Sequence, residues 1–178
     1  MKTLVIVSHP TIEQSTVIRT LQSEAEKTTD VTVRNLEKLY GNNTNAFDIE
    51  AEQSAHEGID RIVYLYPIHW FNLTPMLKAY LNQVWTYGWA FGENAQALKN
   101  KTMQVVVSAG STASTYSAEG LIQSTIDEVL TPMKACALYV GMKYAQPCTF
   151  YESMGVSAER LTHLTKQFAQ ILISPPPN

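Results

Sequence analysis

Three short stretches of this sequence concentrate side chains that could do chemistry. The first reads Ser8-His9-Pro10-Thr11-Ile12-Glu13-Gln14-Ser15-Thr16. A hydroxyl-rich turn entering a helix offers unpaired N–H groups, the hydroxyls of Ser15 and Thr16 and the His9 ring to a phosphate. Ser15 is equally suited to plain helix capping. The stretch lacks the glycines of a dinucleotide fingerprint or a Walker loop. The second, Tyr66-Pro67-Ile68-His69-Trp70-Phe71-Asn72-Leu73-Thr74-Pro75, carries aromatic bulk where a strand should emerge into solvent. Trp70 and Phe71 could cover a planar heterocycle whose edges meet backbone N–H groups, or form a contact between subunits. Trp85, Trp89 and Phe91 follow closely, so one stretch could serve both purposes. The third, Ser108-Ala109-Gly110-Ser111 continuing to Tyr116 and Gly120, is small and hydroxyl-rich, which lets backbone amides approach a ligand. Tyr116 is either a packing residue or a neutral O–H donor to an oxygen that gains negative charge.

Each stretch must be held by regular elements, and the pattern supplies them. Leu4–Val7, Val31–Val33, Ile62–Tyr66 and Met103–Val107 are short β-branched or aromatic runs separated by helix-length segments, which predicts a parallel sheet. Over Thr16–Thr28, the residues Val17, Ile18, Leu21 and Ala25 share one helical face. Pro75 suits a first helical turn, after which Met76, Leu77, Tyr80, Leu81, Val84 and Trp85 trace an apolar stripe ending near Gly88. Leu121–Leu138 predicts a helix that Pro132 kinks or divides. A fifth strand is expected over Cys148–Tyr151, then a helix from a Ser157 cap to Ile173. The Asn-rich stretch Glu37–Phe47 is expected to be a surface loop. Together these elements imply an α/β doubly wound parallel five-stranded sheet of order 2-1-3-4-5, with helices on both faces. In such a sheet ligands bind beyond the strand carboxyl ends, where all three stretches fall.

Composition narrows the partners. A chain of 178 residues suits one domain, placed over residues 1–174 with a flexible tail at 175–178. A net charge of −3 gives no field for nucleic acid. Cys136 and Cys148 have neither disulfide nor metal spacing and are expected to be buried thiols, and no metal site is expected. The N-terminal apolar run is too short for a secretory or membrane segment, so a cytoplasmic protein is expected. His56 and His163 fall among polar neighbours and are expected to be solvated.

In order and spacing, His9-Pro10 with Ser15, then Pro67-Ile68-His69-Trp70-Phe71 with Pro75 and Leu77-Lys78, then Gly88-Trp89-Ala90-Phe91-Gly92, this sequence resembles the flavodoxin-like NAD(P)H:quinone oxidoreductases. The likeness covers nearly the whole chain and is nearest to the short bacterial members that accompany potassium-efflux systems. The resemblance implies a flavin whose phosphate meets His9, Ser15, Thr16 and Val17. Its ring would be bordered by Pro67, Ile68, His69, Trp70 and Phe71 on one side and by Ser108, Ala109, Gly110 and Ser111 on the other. Tyr116 would be the catalytic donor and a flavin neighbour, and Trp70 and Phe91 would line the substrate pocket. The implied cofactor is FMN, with FAD as the alternative, and the implied hydride donor is NADPH or NADH. A quinone-like acceptor, a ping-pong mechanism and a homodimer complete the expectation. The alternative is a flavin-containing regulatory subunit that binds a membrane potassium-efflux protein.

Three positions depart from the family's pattern. Ser111 stands where many members have glycine, which would strain the loop if the position needs φ > 0. Ile122 stands where the animal enzymes have a histidine, so Tyr116 would act without a partner. Phe91 replaces a tyrosine that the partner subunit contributes in many members, so it keeps the ring and loses the hydroxyl.

Overall fold

A computed structural model describes residues 1–175. Thr3–Val7 (β1), Val31–Asn35 (β2), Arg61–Pro67 (β3), Thr102–Ser108 (β4), Lys143–Tyr144 (β5) and Cys148–Phe150 (β6) form one sheet. The sheet is parallel in the order β2-β1-β3-β4-β5, and β6 pairs with β4 further along the same edge. The strand order and the presence of helices on both faces match the sequence expectation. The fifth strand position is filled in two pieces, because the chain between β5 and β6 leaves the ladder at Ala145–Pro147. Pro147 has no N–H to donate to a ladder there.

Both faces of the sheet are covered, as the near-continuous apolar strands require. Leu4, Ile6, Tyr64, Tyr66, Val105 and Val107 face one core, closed by Pro75–Val84 (α4) and Thr131–Tyr139 (α6). Val5, Val7, Val63, Leu65 and Val106 face the other, closed by Thr16–Lys27 (α1) and Ala158–Ile173 (α7). The predicted stripes of α1 and α4 are all buried. Ser157 caps α7 by accepting from the Arg160 N–H. No helix among the described residues is long and apolar enough to cross a membrane.

Four local expectations are corrected. The stretch 37–47 is not all loop, because Asn35 accepts from the Lys38 N–H and starts a short helix, Leu36–Tyr40 (α2). It is followed by Ile49–Ser54 (α3), capped by Asp48. Helix is absent over 121–125: a reciprocal cap between Thr125 and Glu128 starts Ile126–Val129 (α5), and Pro132 lies in the first turn of the separate α6. His56 is 2% exposed, not solvated, with Nδ1 at 2.8 Å from the Glu52 carbonyl and its ring edge-on to Trp89. His163 is exposed as expected. Cys136 and Cys148 are half-buried rather than buried, and burial pushes the Cys148 thiol up to about 11. Of the predicted tail, Pro175 follows the helix end and 176–178 lie outside the described residues.

Candidate active site

The loops after β1, β3, β4 and β6 surround an open cleft of about 400 Å³. His9, Ser15, Thr16, Pro67, Ile68, His69, Ser108 and Gly110, all expected from sequence, line it together. So do Gln14, Ser153, Met154 and Gly155, which sequence reading missed. The signal was available: the loop after the last strand also lies at a strand carboxyl end, and Gly155 adopts φ +74° there. Backbone bonds strap that loop to its neighbour, Ser153 N–H donating to Ala109 at 3.0 Å and Glu152 N–H to Ser111 at 3.0 Å.

On the β1 side, Ser15 is the N-cap of α1, its hydroxyl accepting from the Ile18 N–H at 3.2 Å. Capping and ligand binding are compatible, since a hydroxyl that accepts one bond still has its own proton to donate. Thr16 and Val17 begin the helix, and within the described residues their N–H groups have no acceptor. Val17 turns its side chain into the core, so only its backbone is available. The Thr11 N–H donates to His9 Nδ1 at 3.1 Å. The neutral ring therefore carries its proton on Nε2. Burial, then the nearby His69 ring, lower the His9 pKa and keep it a neutral donor.

The β3 loop makes a tight reversal. His69 N–H donates to Asn72 at 3.2 Å and Asn72 N–H returns to His69 at 3.0 Å. The central pair, Trp70 and Phe71, have φ of +48° and +62°. Two successive positive φ values mark a type I′ turn, which favours Asn-Gly. Two bulky aromatics there are strained, and such strain collects at functional sites. Trp70 is 93% exposed at the tip, and neither central N–H has an acceptor among the described residues.

On the β4 side, neither Gly110 nor Ser111 needs positive φ, so serine at the family's glycine position leaves the loop unstrained. The Ala109 N–H is taken by the Phe150 carbonyl at 2.9 Å, so Ala109 has no backbone donor to offer. Ser111 Oγ pairs with Thr115 Oγ1 at 2.6 Å. The turn over Ala113–Thr115 then delivers Tyr116, whose ring lies between Phe71 and Tyr151, at centroid distances of 6.2 and 5.7 Å. Gly120 allows this fold-back: a Cβ there would sit 2.2 Å from the Ser114 carbonyl oxygen. Burial raises the Tyr116 pKa, so it remains protonated. Trp70, Phe71, Ala109, Ser111 and Tyr116, also expected at the site, do not line this cleft, and neither does Phe91. Phe91 packs with Tyr87 and Tyr139, so one chain does not bring Phe91 and Trp70 together.

Comparison with known proteins identifies the family and the fold. Residues 1–172 match a family described by its flavodoxin-like fold. General stress protein 14 of Bacillus subtilis is 39% identical over 98% of this chain and 99% of its own. A second protein of that organism, named an uncharacterized NAD(P)H oxidoreductase, is 34% identical over 97% and 98%. The glutathione-regulated potassium-efflux system ancillary protein of Klebsiella aerogenes is 28% identical over 96% and 94%. Among solved structures, general stress protein 14 of Treponema denticola in complex with FMN superposes with a TM-score of 0.89 at 36% identity, covering 97% and 98%. An NADPH-quinone reductase from P. pentosaceus gives 0.88 at 26%, covering 98% and 99%. A protein named as a thermophilic tryptophan halogenase gives 0.92 at 34%, covering 97% and 99%, from a source named Streptomycin violaceusniger, and that activity is said of it alone. The chain therefore belongs to the flavodoxin-like fold family, beside relatives named as NAD(P)H oxidoreductases and potassium-efflux ancillary proteins.

Proposed function

We propose that this chain binds FMN in the cleft and acts as an NAD(P)H:quinone oxidoreductase, moving hydride from NADPH or NADH to a quinone or similar small acceptor. One observation carries the reading: hydroxyls and neutral donors of the β1, β3 and β4 loops line one cleft at the strand carboxyl ends, beside the reversal of strand order, and the strained Trp70–Phe71 turn belongs to the same β3 loop. His9, Ser15 and the N–H groups of Thr16 and Val17 would hold the phosphate. Pro67, Ile68, His69, Trp70 and Phe71 would border one edge of the ring, and Ser108, Ala109, Gly110, Ser111 and Tyr116 the other. The donors fit a phosphate and a ring edge, and the Ala109 contribution is one of shape.

Bound FMN supplies two-electron exchange with the nicotinamide and then with the acceptor, in two half-reactions at one place. FMN is favoured over FAD by the FMN-bound relative. This chain's own part is to hold donors at fixed positions and exclude water under the aromatic turn. Tyr116 would donate its O–H to the acceptor oxygen, with Ile122 offering no relay. A homodimer belongs to the same reading, because Phe91 lies away from its own cleft and a second copy would have to supply it. So does a single flavin-binding domain over residues 1–174.

The named potassium-efflux relative supports a second reading, a regulatory subunit that binds a membrane efflux protein. Anaerobic mixing of the FMN-loaded protein with NADPH, then with NADH, separates the two. Rapid bleaching of oxidised flavin is expected. Bleaching with neither donor would overturn the oxidoreductase reading and favour the regulatory one.

A further inference from the structure

Behind the His9 loop lies the half-buried side chain of Glu37, with one carboxyl oxygen enclosed. Ser8 and Thr74 are both 0% exposed, and their hydroxyls form a close pair. Ser8 Oγ also bonds Glu37 Oε1 at 2.8 Å. Thr74 in turn caps α4, accepting from the Leu77 N–H. One relay therefore joins the end of β1, the start of α2 and the N-cap of α4, three residues beyond Phe71. Glu37 Oε2 is buried with no partner. An unpartnered carboxylate oxygen costs far more than an unpartnered carbonyl oxygen of the neutral acid. Either hydroxyl of the Ser8–Thr74 pair can be the donor, so the relay accepts either protonation state at Oε1.

The cleft beside it is lined by no lysine or arginine. A phosphate dianion held there by neutral donors would repel an ionised Glu37 across a low-dielectric wall. Burial already raises the Glu37 pKa, opposed by the bond from Ser8 and by the nearby backbone N–H groups of His9 and Glu37. Other titratable groups near it are His9, from the β1 loop, and His69, edge-on to His9 from the β3 loop. Thr74 is the α4 group that faces it, through a hydroxyl.

We propose that Glu37 is a positioning residue for the phosphate loop, acting through Ser8, and that it is the neutral acid when FMN is bound. The proposal rests on FMN occupying the cleft. Binding then takes up a proton at Glu37, so affinity falls as pH rises through the range between its free and bound pKa values.

The test is FMN affinity of the wild-type protein and Glu37→Gln across weakly acid to weakly alkaline pH, with riboflavin as a ligand lacking the phosphate. Taking the ratio of wild-type to variant Kd cancels the titration of the phosphate and of His9. That ratio should rise by about threefold or more for FMN and stay level for riboflavin, one proton allowing at most about tenfold per pH unit. A level ratio for FMN overturns the proposal. Should the variant not fold, infrared difference spectra of the wild type with and without FMN decide: a protonated carboxyl band must appear on binding, and its absence is equally fatal. Failure of both ligands to bind at all would instead remove the proposed function.

Discussion

Ser15 performs a structural task that any capping residue could perform, and its proposed binding role can be separated from that task by charge. Aspartate caps as well as serine, accepting from the Ile18 N–H, while placing a carboxylate where a phosphate is expected. Ser15→Asp should therefore leave the melting temperature within a few degrees of wild type and weaken FMN binding by at least about tenfold, a change of about 1.4 kcal/mol. Equal FMN affinity would make Ser15 a cap alone. Tyr116 allows a similar separation, since Tyr116→Phe keeps the ring contacts with Phe71 and Tyr151 and loses the hydroxyl. Quinone turnover should fall about 100-fold, the lower end of what a positioned proton donor contributes, with FMN affinity unchanged. Unaltered turnover would return Tyr116 to packing. Residue types and order at these positions were legible in the sequence. Which atoms remain free was not, because that depends on partners such as the Phe150 carbonyl, brought to Ala109 by the fold.

At the scale of elements, the β3 loop holds the clearest conflict between local preference and observed conformation. Aromatic residues at φ +48° and +62° occupy a turn that Asn-Gly would fill without strain. The double substitution Trp70→Asn with Phe71→Gly should stabilise the fold by about 1–3 kcal/mol and sharply reduce flavin affinity or turnover. Denaturant unfolding and FMN titration measure the two effects. A variant that is both no more stable and equally active would show that the turn carries neither strain nor function. Long periodic elements such as α1 and α4 were readable because many residues report one helical face. The α2 helix was not, because five residues carry too little periodicity and its start depends on one side-chain cap. The β6 piece was legible as the fifth strand expected over Cys148–Tyr151, whereas the two-residue β5 was hidden, its register being set by pairing with β4.

For the whole molecule, the buried His56 links stability to pH. Burial lowers its pKa to about 4, against an ordinary 6.5. The unfolded chain then binds a proton that the folded one refuses, so stability is full above about pH 6.5 and declines as pH falls toward about 4. The loss from this group approaches about 3 kcal/mol. His56→Gln should flatten the melting temperature across that interval relative to wild type. Parallel pH profiles for the two proteins would assign the acid sensitivity to other groups.

By itself the sequence determined the parallel doubly wound sheet, its strand order, the faces of its long helices and three of the loops around the cleft. These follow from patterns repeated along contiguous residues, where hydrophobic periodicity outweighs local exceptions. Only the tertiary structure decided that a fourth loop closes the cleft, that Trp70 and Phe71 sit in a strained reversal, that His56 is buried and that Glu37 lies beneath Ser8. The Trp70–Phe71 reversal runs against the preference of its own residues, and the other three facts depend on segments distant in sequence meeting, where no local pattern encodes which polar groups will be paired or left unpaired.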